Sequence, residues 1–323
     1  MTRRFSFSLM LVRTWFAVAA LVLGLLPLAV TGLAADDGEA ADKKLPEITG
    51  TLKYHDKFPS DFVAARNVNV WLPASYARNL DERYPVIYMH DGQNLHDPKT
   101  SFLGVDWGVD EAMTKLIDAD KIRAAIIVGI WNTPQRVQEY LPAEMIRSRP
   151  APERESLFQE LAKFGIKLDE KQLLSDQYLK FLVQELKPFI DKHYRTQPDR
   201  SQTFVMGSSA GALISLYAVS EYPEVFGGAG CVSTHWPIGN GLMIEYLQDR
   251  LPDPKTHRIY FDFGTEMLDK GYEPFQQKMD AVMAAAGYQQ DRNWITRKFA
   301  GAEHSERSWR ERVHVPLEFF LQK

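Results

Sequence analysis

Phe204-Val205-Met206-Gly207-Ser208-Ser209-Ala210-Gly211 is the stretch from which the rest of the chain is read. A short apolar run leads into Gly-x-Ser-x-Gly centred on Ser209, and an amphipathic helix is expected from Ala210 to Ser220. A nucleophilic serine needs this layout. It must stand on a sharp strand-to-helix turn, in a strained backbone conformation, with its hydroxyl exposed. In so tight a turn, side chains two residues to either side would clash, and Gly207 and Gly211 avoid this. The Ala210 N–H then sits at a helix N-terminus, where it can donate to a developing oxyanion. Five residues alone match by chance; the flanking strand and helix give the motif its weight. The alternative is a plain Gly-Ser turn. Ser208 is off-centre between the glycines.

Outward from the turn, strands and helices alternate. Strands are expected at Ile48–His55, Phe62–Leu72, Pro85–His90, Ala124–Ile130, Thr203–Met206, Phe226–Val232, Arg258–Phe263 and Trp294–Phe299. Val68, Val70 and Leu72 alternate with Asn67, Asn69 and Trp71, the period of a half-buried strand. Helices are expected over Asp106–Ala119, Gln177–His193, Tyr272–Gly287 and Ser308–Leu321, the last kinked or broken at Pro316. This alternation predicts an α/β fold whose central sheet is mostly parallel and covered by helices on both faces. Residues 141–175, with a helical patch over 153–164, interrupt it; they form either a cap over the active site or a surface excursion.

A serine needs a base, and the base needs an orienting carboxylate. In the α/β-hydrolase fold the chain order is serine, acid, histidine. Of His235, His257, His304 and His314, only His304 sits in a loop just after the last strand. His257 is at the wrong end of its strand, His314 lies in the terminal helix, and His235 leaves little room for an acid before it. After the strand Arg258–Phe263, Glu266 and Asp269 both lie in the following loop, with Asp269 preferred; Asp262 is inside the strand. The second oxyanion donor is expected after the third strand, in His90-Asp91-Gly92-Gln93-Asn94, with the Gln93 N–H as candidate beside that of Ala210. Gly92 would let the backbone approach the substrate, and His90 and Asp91 would brace the loop.

Trp131 and Arg136 follow a strand at the sheet edge where α/β folds bind ligands. Arg136 could receive an anionic or catecholate group, or pair with Glu139. Trp236 could line an acyl pocket or pack in the core. No His, Asp or Glu cluster has metal-ligand spacing and no glycine loop suits a phosphate, so neither metal nor cofactor is expected. The single cysteine, Cys231, reads as a small buried hydrophobe, and neither a disulfide nor a CxxC motif can form.

The Gly207–Gly211 turn, the stretch Tyr84-Pro85-Val86-Ile87-Tyr88-Met89-His90-Asp91-Gly92 and the stretch Gly301-Ala302-Glu303-His304-Ser305-Glu306-Arg307-Ser308-Trp309 resemble the Putative esterase family of α/β-hydrolases. That family includes enterochelin, feruloyl and acetylxylan esterases, S-formylglutathione hydrolase and the mycolyltransferases. The resemblance runs from about Ile48 to Leu321. It implies Ser209 as nucleophile, His304 as base, and backbone amides near Gln93 and Ala210 as oxyanion donors. Two departures stand out. Many members carry a glycine-rich His-Gly loop where this chain has His90-Asp91-Gly92-Gln93. Several place the acid three residues after the strand-end glycine, where this chain has Met267.

Across 323 residues, 45% hydrophobic and 25% charged, the composition is that of a globular protein, and a net charge of -4 argues against a nucleic-acid partner. Arg3, Arg4 and Arg13, the apolar run Trp15–Val30 and Gly32-Leu33-Ala34 have the layout of a signal peptide over residues 1–34. A flexible tail over 35–47 and an esterase domain over 48–323 would follow. The apolar run is rather short for a membrane span. The mature protein is therefore expected in the periplasm or outside the cell, with no stable membrane span. The expected chemistry is hydrolysis of a small-molecule or carbohydrate-linked carboxylic ester through an acyl-enzyme. The alternatives are an acyltransferase on the same triad and a non-catalytic carbohydrate- or siderophore-binding protein.

Overall fold

A computed structural model describes residues 48–163 and 165–323. The expected signal peptide and tail lie outside the described residues, as does Phe164.

Eight strands form one sheet in the order β1-β2-β4-β3-β5-β6-β7-β8. They are β1 (Thr51–Phe58), β2 (Arg66–Leu72), β3 (Val86–His90), β4 (Ile126–Ile130), β5 (Thr203–Ser208), β6 (Gly228–Val232), β7 (Arg258–Phe263) and β8 (Trp294–Lys298). Strands β3 to β8 are mutually parallel, and β2 runs antiparallel to both of its neighbours. The chain therefore has the α/β-hydrolase fold, mostly parallel with helices on both faces.

Strand alternation explains the two covered faces. Val86 and Tyr88 point into one apolar cluster, and Ile87 and Met89 into the other. Val128 and Ile127 divide in the same way. On the second face lie helix α1 (Val109–Asp118) and the last helix of the chain. The edge strands carry charge beside their apolar residues. Lys53 and Asp56 on β1, and Arg297 and Lys298 on β8, discourage pairing with another chain.

Two expectations need correction. Helix α3 (Ala210–Glu221), which follows the turn at Ser209, is not amphipathic: every residue from Ala210 to Val219 is buried. It is sandwiched between the sheet and outer helices, so no face meets water. The terminal helix does not break at Pro316. It divides at Val313 into α5 (Glu306–Arg312) and α6 (His314–Leu321). Pro316 then lies in the first turn of α6, where a missing N–H removes no helical bond.

The segment 141–175 contains helices at Ala143–Arg147 and Ala151–Lys163. Leu157, Leu161, Ile166 and Leu173 anchor it to the core.

Parallel pairing brings the carboxyl ends of six strands together. His90 pairs with Ile130, Ser208 with Val232, Val232 with Asp262, and Phe263 with Lys298. The loops beginning at Asp91, Trp131, Ser209, Ser233, Gly264 and Phe299 thus open on one edge, the place where α/β sheets bind ligands.

Candidate active site

Ser209 links β5 to α3 with φ 56° and ψ -117°, a conformation that L-residues avoid. Holding it costs on the order of 1–3 kcal/mol. Neighbouring strands supply the restraint: Ser209 N–H donates to Val232 O at 2.9 Å and His235 N–H to Ser209 O at 3.3 Å. The expected steric demand at Gly207 is met, since a Cβ there would lie 2.8 Å from the Gly211 backbone. Ala210 opens the helix, so its N–H has no intrahelical acceptor.

His304 and Asp269 meet across two loops. His304 Nδ1 donates to Asp269 Oδ1 at 2.6 Å, and both side chains are fully buried. Asp269 Oδ2 accepts from Ser233 Oγ and from Gly264 N–H, each at 2.6 Å. Burial alone would raise the Asp269 pKa, but the adjacent imidazole and these hydrogen bonds lower it. With a proton on Nδ1, neutral His304 presents a lone pair at Nε2, the atom a general base uses. That atom is buried and has no partner among the described residues, so the hydrogen bond from Ser209 Oγ is not formed in this structure. Such contacts are often loose in free enzymes and tighten on substrate binding.

Of the two candidate acids, the structure brings only Asp269 to His304. Glu266 is exposed and starts the short turn Met267–Gly271, which folds Asp269 inward. Met267 has φ 53°, and this left-handed residue turns the loop back. Asp262 is held inside the structure by Arg312, Tyr260 and the Ser233 N–H. His257 is buried against Pro223 O, and His314 is exposed.

The loop after β3 is braced from several sides. Asp91 adopts φ 56°, a left-handed conformation that aspartate tolerates better than most residues. Gly92 has a different reason to be glycine than approach to a substrate. A Cβ there would lie 2.4 Å from Gly129 C, so the loop is pressed onto the backbone of β4. Asn69 on β2 donates to Gly92 O at 3.2 Å. His90 Nδ1 contacts the Tyr178 hydroxyl at 2.8 Å. Among the described residues, no acceptor takes the Gln93 N–H.

Arg136 belongs to this brace. Its Nε and Nη2 donate to the two oxygens of Asp91, each at 2.8 Å, and Asn132 Nδ2 donates to Asp91 Oδ1 at 2.6 Å. The partner is Asp91 and not Glu139, because Glu139 is fully engaged by Arg66. Asp91 is pulled below the usual carboxylate range by Arg136 and Asn132, against the opposing effect of burial.

A cavity of about 370 Å³ lies over Ser209, its wall including Gln93, Phe102, Arg136, Glu306 and Trp309. No described residue of 141–175 is among its lining residues. Trp131 and Trp236 are not brought to it. Trp131 leaves β4 with its N–H bound to Asn67 O. Trp236 is 1% exposed and donates to Gln276 Oε1, so it is a core residue. An acidic group, Asp106, Asp110 and Glu111, lies elsewhere. Arg310 already compensates it, binding Asp106 and Glu111 at 2.6 and 2.7 Å.

Sequence reasoning missed the layer behind Asp269. Ser233 Oγ donates to the carboxylate and accepts from Arg312 Nη2 at 2.7 Å and Trp309 Nε1 at 3.1 Å. The Trp309 ring stands 5.0 Å from that of His304 and also lines the cavity, as Ser209 does. The legible signal was placement: Ser233 directly follows β6, beside the strand that carries Ser209.

Comparison with known proteins agrees with this geometry. The family model described as "Putative esterase" matches residues 62–315. The uncharacterized protein YbbA of Bacillus subtilis (strain 168) is 22% identical over 201 residues, covering 62% of this chain and 68% of that protein. Among solved structures, a ferulic acid esterase superposes with a TM-score of 0.60 at 17% identity, covering 84% of this chain and 98% of its own. The enterobactin esterase FES from Shigella flexneri gives 0.58 at 19% identity, covering 86% of this chain and 60% of that one. The match over most of the chain, on an α/β-hydrolase sheet with its serine turn, shows that this protein belongs to the Putative esterase family.

Proposed function

We propose that the protein is a serine hydrolase of carboxylic esters that works through an acyl-enzyme. Family membership supports ester hydrolysis in general. The serine mechanism is supported best by one observation: His304 is locked to Asp269 through Nδ1 at 2.6 Å while its Nε2 stays free. In this reading, substrate binding brings Ser209 Oγ onto Nε2, and His304 takes the hydroxyl proton as Ser209 attacks the carbonyl. The Gln93 and Ala210 N–H groups receive the negative charge that develops on oxygen. The imidazolium, steadied by Asp269, protonates the departing alcohol. Water then repeats the sequence to release the acid. Asp91 and Arg136 keep the Gln93 loop in place.

The apolar segment Trp15–Val30 supports export to the periplasm or beyond. An assay panel takes a feruloyl ester and enterobactin after the solved structures compared above, with an acetyl ester as a small acyl group. Labelling by a fluorophosphonate and turnover on this panel, both abolished in Ser209→Ala, would support the reading. Undiminished turnover in that variant would overturn it. Product analysis with an added alcohol distinguishes an acyltransferase, and failure of the wild type to label or turn over would favour a binding protein.

A further inference from the structure

Glu306 opens helix α5, two residues beyond His304, and forms part of the wall of the cavity over Ser209. It is 8% exposed, and among the described residues nothing but its own backbone N–H reaches the carboxyl. Buried carboxyls normally have a partner. The nearest cation does not serve. Arg136 commits Nε and Nη2 to Asp91, its Nη1 has no partner, and no ion pair joins it to Glu306. Arg136 is ion-paired with Asp91 and acts on Glu306 only through space. The cavity thus carries an acceptor that no protein donor but its own N–H reaches.

We propose that Glu306 is a specificity-determining residue that accepts a hydrogen bond from a hydroxyl on the alcohol half of the ester. The assignment rests on the serine-hydrolase reading. His304 would hand its proton to the departing alcohol. Glu306 opens the helix two residues beyond His304, and this proximity assigns it to that half, while the carbonyl oxygen is assigned to the Gln93 and Ala210 amides. A hydroxyl suits Glu306, since it can donate to the carboxylate. An alcohol without a donor leaves the buried carboxyl unpaired, and one bearing a carboxylate is repelled. Burial pushes the Glu306 carboxyl above its usual range, against the pull of His304 and Arg136, as expected of a group that lacks a partner. A purely structural role is also conceivable for an acid in the first turn of a helix. That role would be indifferent to the substrate.

The test uses a 2-hydroxyethyl and a propyl ester of whichever acyl group the panel shows to be cleaved fastest. The readout is the ratio of their kcat/KM values in the wild type, Glu306→Gln and Glu306→Ala. The inference expects the wild type to favour the hydroxyl ester and the ratio to fall about tenfold or more in Glu306→Ala. The isosteric Gln, which keeps an acceptor and preserves packing, should fall between. An unchanged ratio in both variants would overturn the inference while leaving the esterase reading intact. A wild type that cleaves neither ester and takes no fluorophosphonate would overturn the esterase reading, and this inference with it.

Discussion

Asp269 and His304 are joined by a 2.6 Å hydrogen bond between Oδ1 and Nδ1, and the other carboxylate oxygen is occupied by Ser233 and the Gly264 amide. The carboxylate therefore has one orientation, and it holds the imidazole in one tautomer. In Asp269→Asn the amide that meets Nδ1 can present N–H and favour the wrong tautomer. We expect kcat to fall about 10⁴-fold with the fold preserved. Glu266→Gln, at an exposed position without contact to His304, should stay close to the wild type. Steady-state kinetics on both variants decides between the two acids; equal losses would count against the assignment.

Ser233 donates to Asp269 and thereby spreads its negative charge. Without that donor, in Ser233→Ala, the carboxylate becomes more basic and grips the imidazole proton more tightly. The tightened hydrogen bond should move the His304 Nδ1 proton resonance further downfield in an NMR spectrum, which loss of stability alone would not do. The variant should also be less stable by about 1–3 kcal/mol, because buried Arg312 and Trp309 lose an acceptor. A reduced kcat with an unmoved resonance would confine Ser233 to a structural role.

The sheet, the turn at Ser209 and the loop that carries His304 were legible because each depends on local pattern. Apolar runs such as Val86–His90 and Ile126–Ile130 bury both faces, and Gly207 removes a clash four residues along the same chain. What was not legible depends on groups far apart in sequence. Asp269 and Glu266 are equivalent by position; a left-handed residue, Met267, turns one inward and leaves the other in water. Arg136 was read as a possible partner of Glu139, but Glu139 is taken by Arg66, 73 residues away in the chain. Trp236 follows a strand as a pocket residue would, but packing against Phe261 claims it. Ser233 and Arg312 carry no motif, and Glu306 lies in the Gly301–Trp309 stretch without a role that the resemblance assigns.

Two buried histidines near the site should make the fold acid-labile well above the carboxylate range. Burial lowers the pKa of His90 from 6.5 to about 3, assisted by Arg136 and Arg66 against Asp91. Burial lowers that of His235 from 6.5 to about 3 as well, assisted by His304 against Asp269. The unfolded chain takes up these protons below its ordinary histidine pKa, and the folded chain does not. The stability contributed is complete above that pKa and is lost as pH falls toward about 3. The slope is at most about 1.4 kcal/mol per pH unit for each histidine. Thermal melts between pH 7 and pH 4.5 should therefore show a falling Tm. His235→Asn, which keeps a polar atom near Nδ1 but cannot titrate, should flatten that fall. An equally steep fall in the variant would show that His235 titrates normally in the folded protein.

Arg66 and Glu139 form a fully buried ion pair that ties the start of β2 to the helix carrying Arg136. Nη1 and Nη2 reach the two carboxylate oxygens at 2.8 and 2.6 Å, and the rings of Tyr178 and Phe181 each lie 5.1 Å from the guanidinium carbon. The attraction offsets two large desolvation costs, so the pair as a unit adds little net stability, whereas half of it is a liability. Glu139→Ala leaves a buried cation without a counter-ion and should cost about 3–5 kcal/mol in denaturant unfolding. Replacing both partners, Arg66→Met with Glu139→Leu, removes both desolvation costs and should recover most of that loss. The helix from Arg136 to Tyr140 also presents Arg136 to Asp91 and the Tyr140 hydroxyl to the Asp91 N–H. Turnover in Glu139→Ala should then fall even at temperatures where the variant is folded, as the Gln93 loop loses its brace. A double variant as unstable as the single one would mean that the pair contributes directional bonding that apolar packing cannot replace.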